Sequence, residues 1–151
     1  MSVINFYSTK GPCGAFSNFS AHRIFLKDKT WPTTEHYFQA QKFPGTEYED
    51  EIRRAKSPMV AARLGRSRKH PLRADWEFEK ESIMRDALQA KFTQHAELTE
   101  LLLSTGDDTL VEQTANDCYW GDGGDGTGKN RLGLLLMELR GILREGAARE
   151  N

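Results

Sequence analysis

Glu35, Gln39 and Lys42 set an acid, an amide and an amine within one short stretch, Thr33-Thr34-Glu35-His36-Tyr37-Phe38-Gln39-Ala40-Gln41-Lys42-Phe43. At about 100° per residue, a helix brings the three within roughly 60° of one another, so a single face can carry the polar chemistry. Tyr37, Phe38, Ala40 and Phe43 spread around the rest of the circumference, the distribution of a helix enclosed by protein on several sides. A polar stripe on an enclosed helix reads as a pocket wall, with a carboxyl to move protons and an amine to bind or attack. The alternative is an ordinary wet face, on which the same residues give i,i+4 and i,i+3 surface support.

Other chemistry-bearing groups are scattered. Phe16-Ser17-Asn18-Phe19 places an amide between two aromatics, where Asn18 can read a sugar hydroxyl or bond its own backbone in a turn. Arg63-Leu-Gly-Arg66-Ser-Arg68-Lys69-His70-Pro-Leu-Arg73 is the dense basic run, suited to a phosphate or to a solvated loop. Trp31, Trp76 and Trp120 offer rings for stacking on a heterocycle or for core packing.

The glycine loop from Asp117 to Asn130 mimics two nucleotide motifs and satisfies neither. Gly123 to Asn130 approaches a G-x-x-x-x-G-K-[ST] loop, but Asn130 stands where a hydroxyl must hold magnesium. Gly121, Gly123 and Gly126 spell G-x-G-x-x-G, yet the preceding Glu112 to Asp117 is too polar for a buried parallel strand. What survives is a flexible loop leading into a helix N-terminus near Asn130-Arg131, whose N–H groups can receive a phosphate. Asp122 and Asp125 oppose an anion there unless they point away.

Bulk properties narrow the function classes. A chain of 151 residues with 38% hydrophobic content fits one domain, residues 1–151, with a substantial core. A net charge of −1 argues against extended nucleic-acid binding or a coat on anionic membrane. No apolar run approaches the roughly 20 residues needed to span a bilayer, and the N-terminus lacks the pattern of a secretory signal, so a cytoplasmic location is expected. Cys13 and Cys118 are isolated and read as free thiols, and His22, His36, His70 and His95 form no ligand cluster, so neither a metal nor another cofactor is expected.

The elements that must position these groups follow from periodicity and punctuation. Val3 to Tyr7 and Arg23 to Trp31 read as strands, the second interrupted by a turn at Asp28-Lys29. Thr33 or Thr34 caps the helix that follows Pro32, and Pro44-Gly45 stops it. Helices are expected from about Thr46 to Lys56, from Pro58 to an end at Gly65, from Asp75 for roughly 18 residues as the longest element, and from His95 to Ser104. Leu110 to Gln113 fits a short strand and Leu132 to Leu143 an apolar terminal helix. The result is a helix-rich α+β single domain with a small N-terminal β-sheet.

Taken together, the motifs form an ordered set. It comprises Phe16-Ser-Asn-Phe19, Trp31 to Phe43, Ser57-Pro-Met-Val-Ala-Ala-Arg63, Leu72-Arg-Ala-Asp-Trp76, Lys91-Phe92, Asp117-Cys-Tyr-Trp-Gly121 and Gly128-Lys-Asn-Arg-Leu-Gly133. This set closely resembles the NADAR family, and within it the YbiA-like N-glycosidases, from Ile4 to about Leu143. The resemblance implies cleavage of the C1′–N bond of phosphoribosylamino-pyrimidines, early intermediates of riboflavin biosynthesis, in the manner of a metabolite damage-control enzyme. Ribose 5-phosphate and a free pyrimidine would be the products, and a small-molecule phosphoribosylamino-pyrimidine the expected substrate partner. A related branch, which removes ADP-ribose from guanine in nucleic acid, and a non-catalytic nucleotide-binding module are the alternatives. The resemblance also implies Lys42 as an amine able to form a Schiff base with opened ribose. Glu35 is then the first candidate for acid–base work, with Asp117 as a further carboxylate. Trp76 and Trp120 would bound the base, while Asn18, Gln39, Gly121 and Asn130 would order the substrate.

Overall fold

The computed structural model describes residues 2–150, the side chain of Glu150 excepted. They gather into two compact units, one running from Asn18 to Gln94 and the other formed by the N-terminal segment to Ser17 together with the chain from His95 onward.

The first unit opens on a hairpin of β2 (Ile24–Leu26) and β3 (Lys29–Trp31), antiparallel with Ile24 opposite Trp31. Its turn residues are Lys27 and Asp28, at φ 55° and 63°, one position earlier than the sequence signal indicated. Two successive left-handed residues make the mirror-type turn whose twist matches that of the strands. Gln94, closing the last turn of α4 (Trp76–Gln94), grips the hairpin by accepting from Phe25 N at 2.8 Å and donating to Phe25 O at 2.7 Å. Trp31 is wholly buried, its indole N–H bonded to Leu26 O, so it is a core residue and not a stacking platform.

Three short helices fill this unit: α1 (Thr34–Ala40), α2 (Glu47–Arg53) and α3 (Pro58–Arg66). Each begins on a hydroxyl cap, Thr33, Thr46 and Ser57, accepting from the backbone N–H three residues on. Three ends differ from expectation. The α-helical bonds of α1 stop near Ala40, where Lys42 N–H turns to Gln39 O and Phe43 N–H to Ala40 O, tightening the chain into a 3₁₀-like turn. Helix α2 closes at Arg53 and does not reach Lys56. Helix α3 runs through Gly65 to Arg66, with Ser67 as its cap, so Gly65 is an interior helical residue.

The second unit pairs β1 (Val3–Phe6) in parallel with β4 (Thr109–Glu112), Val3 opposite Thr109. The small sheet is thus two separate two-stranded ladders, and β1 pairs with a strand from late in the chain. Helix α5 (Ala96–Ser104) and helix α6 (Arg131–Glu150) pack on one another, and α6 also packs on β4. At 20 residues α6 exceeds the 19 of α4, because the Ala, Arg and Glu residues of Arg144 to Glu150 extend it past Leu143 despite Gly146. Leu132, Leu135, Leu136 and Leu139 form its buried stripe. Arg140, also buried, donates to Thr105 Oγ1 and Asp108 O, tying the helix to the turn before β4. No helix among the described residues is long and apolar enough to cross a membrane.

Candidate active site

Every residue of α1 is buried, including the polar ones: Glu35 is 9% exposed and Gln39 5%, with Lys42 just beyond the helix at 7%. That excludes the wet-face alternative. Burial of an acid, an amide and an amine side by side is costly unless they satisfy one another or a ligand.

The local bonding shows how they are held. Asn18 sits at the N-terminus of α1, where its backbone carbonyl accepts from Glu35 N and its Oδ1 from Thr34 Oγ1 at 2.8 Å. Its amide nitrogen meets the soft Met84 sulfur at 3.5 Å. Gln39 Nε2 donates to Glu35 Oε2 at 2.9 Å, as the i,i+4 spacing allows. Gln39 Oε1 is buried with no hydrogen-bond partner among the described residues.

Lys42 Nζ stands 5.9 Å from the Phe38 ring centroid and 5.6 Å from that of Trp76, while the two rings meet edge to face at 5.0 Å. Trp76, at the first turn of α4, is therefore a wall beside the amine. Burial lowers the Lys42 pKa from its usual 10.5 to about 8; the Arg68 and Arg66 charges push the same way and Glu35 opposes them. A substantial neutral fraction near physiological pH makes this amine a usable nucleophile. The basic run beyond α3 thus acts on the site electrostatically. Neither arginine is buried, and Arg68 also donates to the carbonyls of Gly65 and Ser67.

Asp117, Trp120, Gly121 and Asn130 belong to the second unit, around the glycine loop. Asp117 Oδ1 accepts from Tyr119 N and Trp120 N, an Asx-type turn that sets the half-buried Trp120 against Tyr119. Gly121 is buried where a Cβ would press on Thr114 Cγ2 at 2.6 Å and Asp117 O at 2.9 Å. Asp122 and Asp125 turn into the loop itself, accepting from Thr114 and Gly124 N–H and from Thr127 N–H and hydroxyl respectively. The N–H groups of Asn130, Arg131 and Leu132 all bond carbonyls, those of Gly121, Tyr119 and Trp120. These three N–H groups of the expected phosphate cradle are accordingly engaged by the loop's own carbonyls, which sequence spacing had no means of anticipating.

Asn130 has φ 51° and brackets β4 with its amide, Nδ2 donating to Leu110 O at 2.9 Å and Oδ1 accepting from Glu112 N at 3.0 Å. We expect Asn130→Ala to lower stability by about 2 kcal/mol or more, since it strands two strand-edge groups and puts alanine, which tolerates it less than asparagine, in a left-handed backbone. Urea unfolding checks this, and an unchanged midpoint would show that the bracket contributes nothing.

Two features escaped sequence reasoning. Gly65 lies against Gln39, and its one signal was a glycine inside a helical pattern, read as a stop. Lys91, wholly buried on α4 with its pKa lowered to about 7 by desolvation, was noted only as part of a motif.

The buried acid–amine pair sits in a helix-rich α+β frame that has been seen before. The solved NMR structure of the E. coli protein YbiA matches with a TM-score of 0.90 at 62% identity, covering 97% of this chain and 88% of that one. Residues 5–144 match the NADAR domain, and the chain belongs to that family. It is similar to N-glycosidase YbiA of Escherichia coli (strain K12), 65% identical over 139 residues, 92% of this chain and 87% of the relative. It is also similar to the chloroplastic riboflavin biosynthesis protein PYRR of Zea mays, 46% identical over 154 residues, covering 92% of this chain but 25% of that longer protein.

Proposed function

We propose that this NADAR-family hydrolase of N-glycosyl bonds cleaves the C1′–N bond of phosphoribosylamino-pyrimidines, releasing ribose 5-phosphate and a free aminopyrimidine. The observation that carries the mechanism is the buried Lys42 amine, with its pKa lowered to about 8 between Phe38 and Trp76. The substrate class is supported by two relatives' names, an N-glycosidase and a riboflavin biosynthesis protein.

In this reading the ribosylamine opens at the ring oxygen and the neutral Lys42 Nζ adds to C1′. The C1′–N bond to the pyrimidine then breaks, with protonated Glu35 delivering the proton to the departing nitrogen and the lysine left as an imine on the sugar. Water adds to the imine carbon, the Glu35 carboxylate takes its proton, and expulsion of the amine regenerates Lys42 and frees ribose 5-phosphate. Trp76 flanks the base and Asn18 offers its amide nitrogen to a sugar hydroxyl. For the phosphate we assign Arg66 and Arg68, because their charges already act on Lys42 and the N–H groups of Asn130, Arg131 and Leu132 are engaged by carbonyls.

Release of ribose 5-phosphate from each phosphoribosylamino-pyrimidine is expected in EDTA without added nucleotide. Arg66→Ala/Arg68→Ala should raise KM about tenfold or more for phosphorylated substrate and leave KM for the dephosphorylated analogue unchanged, while kcat near pH 7 falls for both as Lys42 regains its proton. No release by folded protein would reject the reading, and efficient cleavage of ADP-ribosylated guanine in its place would transfer the site to that substrate.

A further inference from the structure

Gly65 occupies the interior of α3, where glycine is unfavourable relative to alanine, and its backbone does not use the left-handed region that would justify it. The reason is its neighbour. A Cβ at this position would overlap Gln39 Oε1 and stand 2.7 Å from Gln39 Cδ and 2.8 Å from Gln39 Cβ, so the close approach of α3 to α1 exists only with glycine there. Ala61 and Ala62 are the small buried residues one turn earlier on the same helix.

We propose that Gly65 and Gln39 form a positioning pair for Glu35: the α3 backbone closes over the Gln39 carbonyl, leaving the amide nitrogen as the end aimed at the Glu35 carboxylate. Three observations carry this: the contact at Gly65, the buried and unpartnered Gln39 Oε1, and the 2.9 Å bond from Gln39 Nε2 to Glu35 Oε2. An amide free to turn over would present its oxygen to the carboxylate and repel it. Gln39 therefore acts through Glu35 and not on substrate directly. The inference rests on the glycosidase reading for its kinetic consequences, but the geometry stands without it.

The donor favours the ionised carboxylate, so losing or misplacing it raises the pH at which Glu35 titrates. Lys42 after α1 is coupled to Glu35, and Arg66 at the end of α3 and Arg68 beyond it act on Lys42; neither substitution below alters these charges. Gln39→Leu removes the donor while keeping bulk under Gly65. Gly65→Ala keeps the donor but pushes it aside, and should not weaken α3 itself. Each should lower kcat about tenfold or more with KM nearly unchanged, and move the limb of the pH profile that Glu35 sets, distinct from the Lys42 limb near 8, upward by about one unit.

A ¹³C carboxyl titration of Glu35 in wild type and Gln39→Leu reads the same shift with no substrate, so an inactive wild type would count against the glycosidase reading alone. Folded Gly65→Ala with wild-type kcat and pH profile would overturn the proposal. If Gly65→Ala does not fold, an unmoved Glu35 titration in Gln39→Leu would overturn it equally.

Discussion

Lys42→Arg should lose turnover by on the order of 10³-fold while folding normally, because it keeps a positive charge but removes the nucleophile. The guanidinium stays protonated throughout the accessible pH range, whereas the Lys42 amine, its pKa lowered to about 8, is partly neutral at pH 7 and mostly neutral at pH 9. The sign follows directly. Wild-type kcat/KM should rise as pH increases through about 8, as the ammonium gives up its proton, and whatever activity survives in Lys42→Arg should lack that limb. The aromatic walls set a limit on how far the shift goes: Phe38 and Trp76 favour the cation, as does Glu35, while burial and the two arginines oppose it. Activity of Lys42→Arg within a few-fold of wild type would remove the covalent step.

Glu35→Gln should cost about 10²-fold or more in kcat, the usual scale for a general acid–base group. The substitution preserves shape and leaves an oxygen to accept from Gln39 Nε2, so a loss reports proton transfer more than packing. If Glu35 both protonates the leaving amine and later activates water, both steps slow together. Release of free pyrimidine in a single-turnover burst would then be delayed as much as release of ribose 5-phosphate. Delay of the sugar product alone would confine Glu35 to the second step and leave the first proton to another group. Asp117 already accepts two backbone N–H groups on one oxygen, an arrangement that suits a structural turn.

How far the sequence foretold this arrangement differs from residue to residue. The start of α1 was written locally, in Thr33 and the polar–aromatic alternation behind it, and the structure uses that cap. Lys42 was placed on the helix face by counting turns, yet it lies on the tighter turn beyond Ala40. The end of a seven-residue helix is decided by packing and by its last carbonyls, and periodicity alone does not register the change from α to 3₁₀ spacing. The pairing of β1 with β4 was hidden for another reason: strands at opposite ends of a chain leave no turn signal between them. Gly65 illustrates a third limit, since a glycine required by a neighbouring helix and one that ends its own helix look alike in one dimension. Asn130 was noticed as the residue that breaks a phosphate-loop motif; its work of bracketing β4 depends on a left-handed backbone that only the fold reveals.

The covalent role of Lys42 is tested most directly by trapping. Wild-type protein turning over a phosphoribosylamino-pyrimidine is treated with borohydride, digested, and its peptides weighed. A reduced pentose-phosphate adduct is expected on the peptide containing Lys42, fragmenting to that lysine and absent from Lys42→Arg. Turnover that proceeds with no adduct, or an adduct on a different lysine, would contradict it.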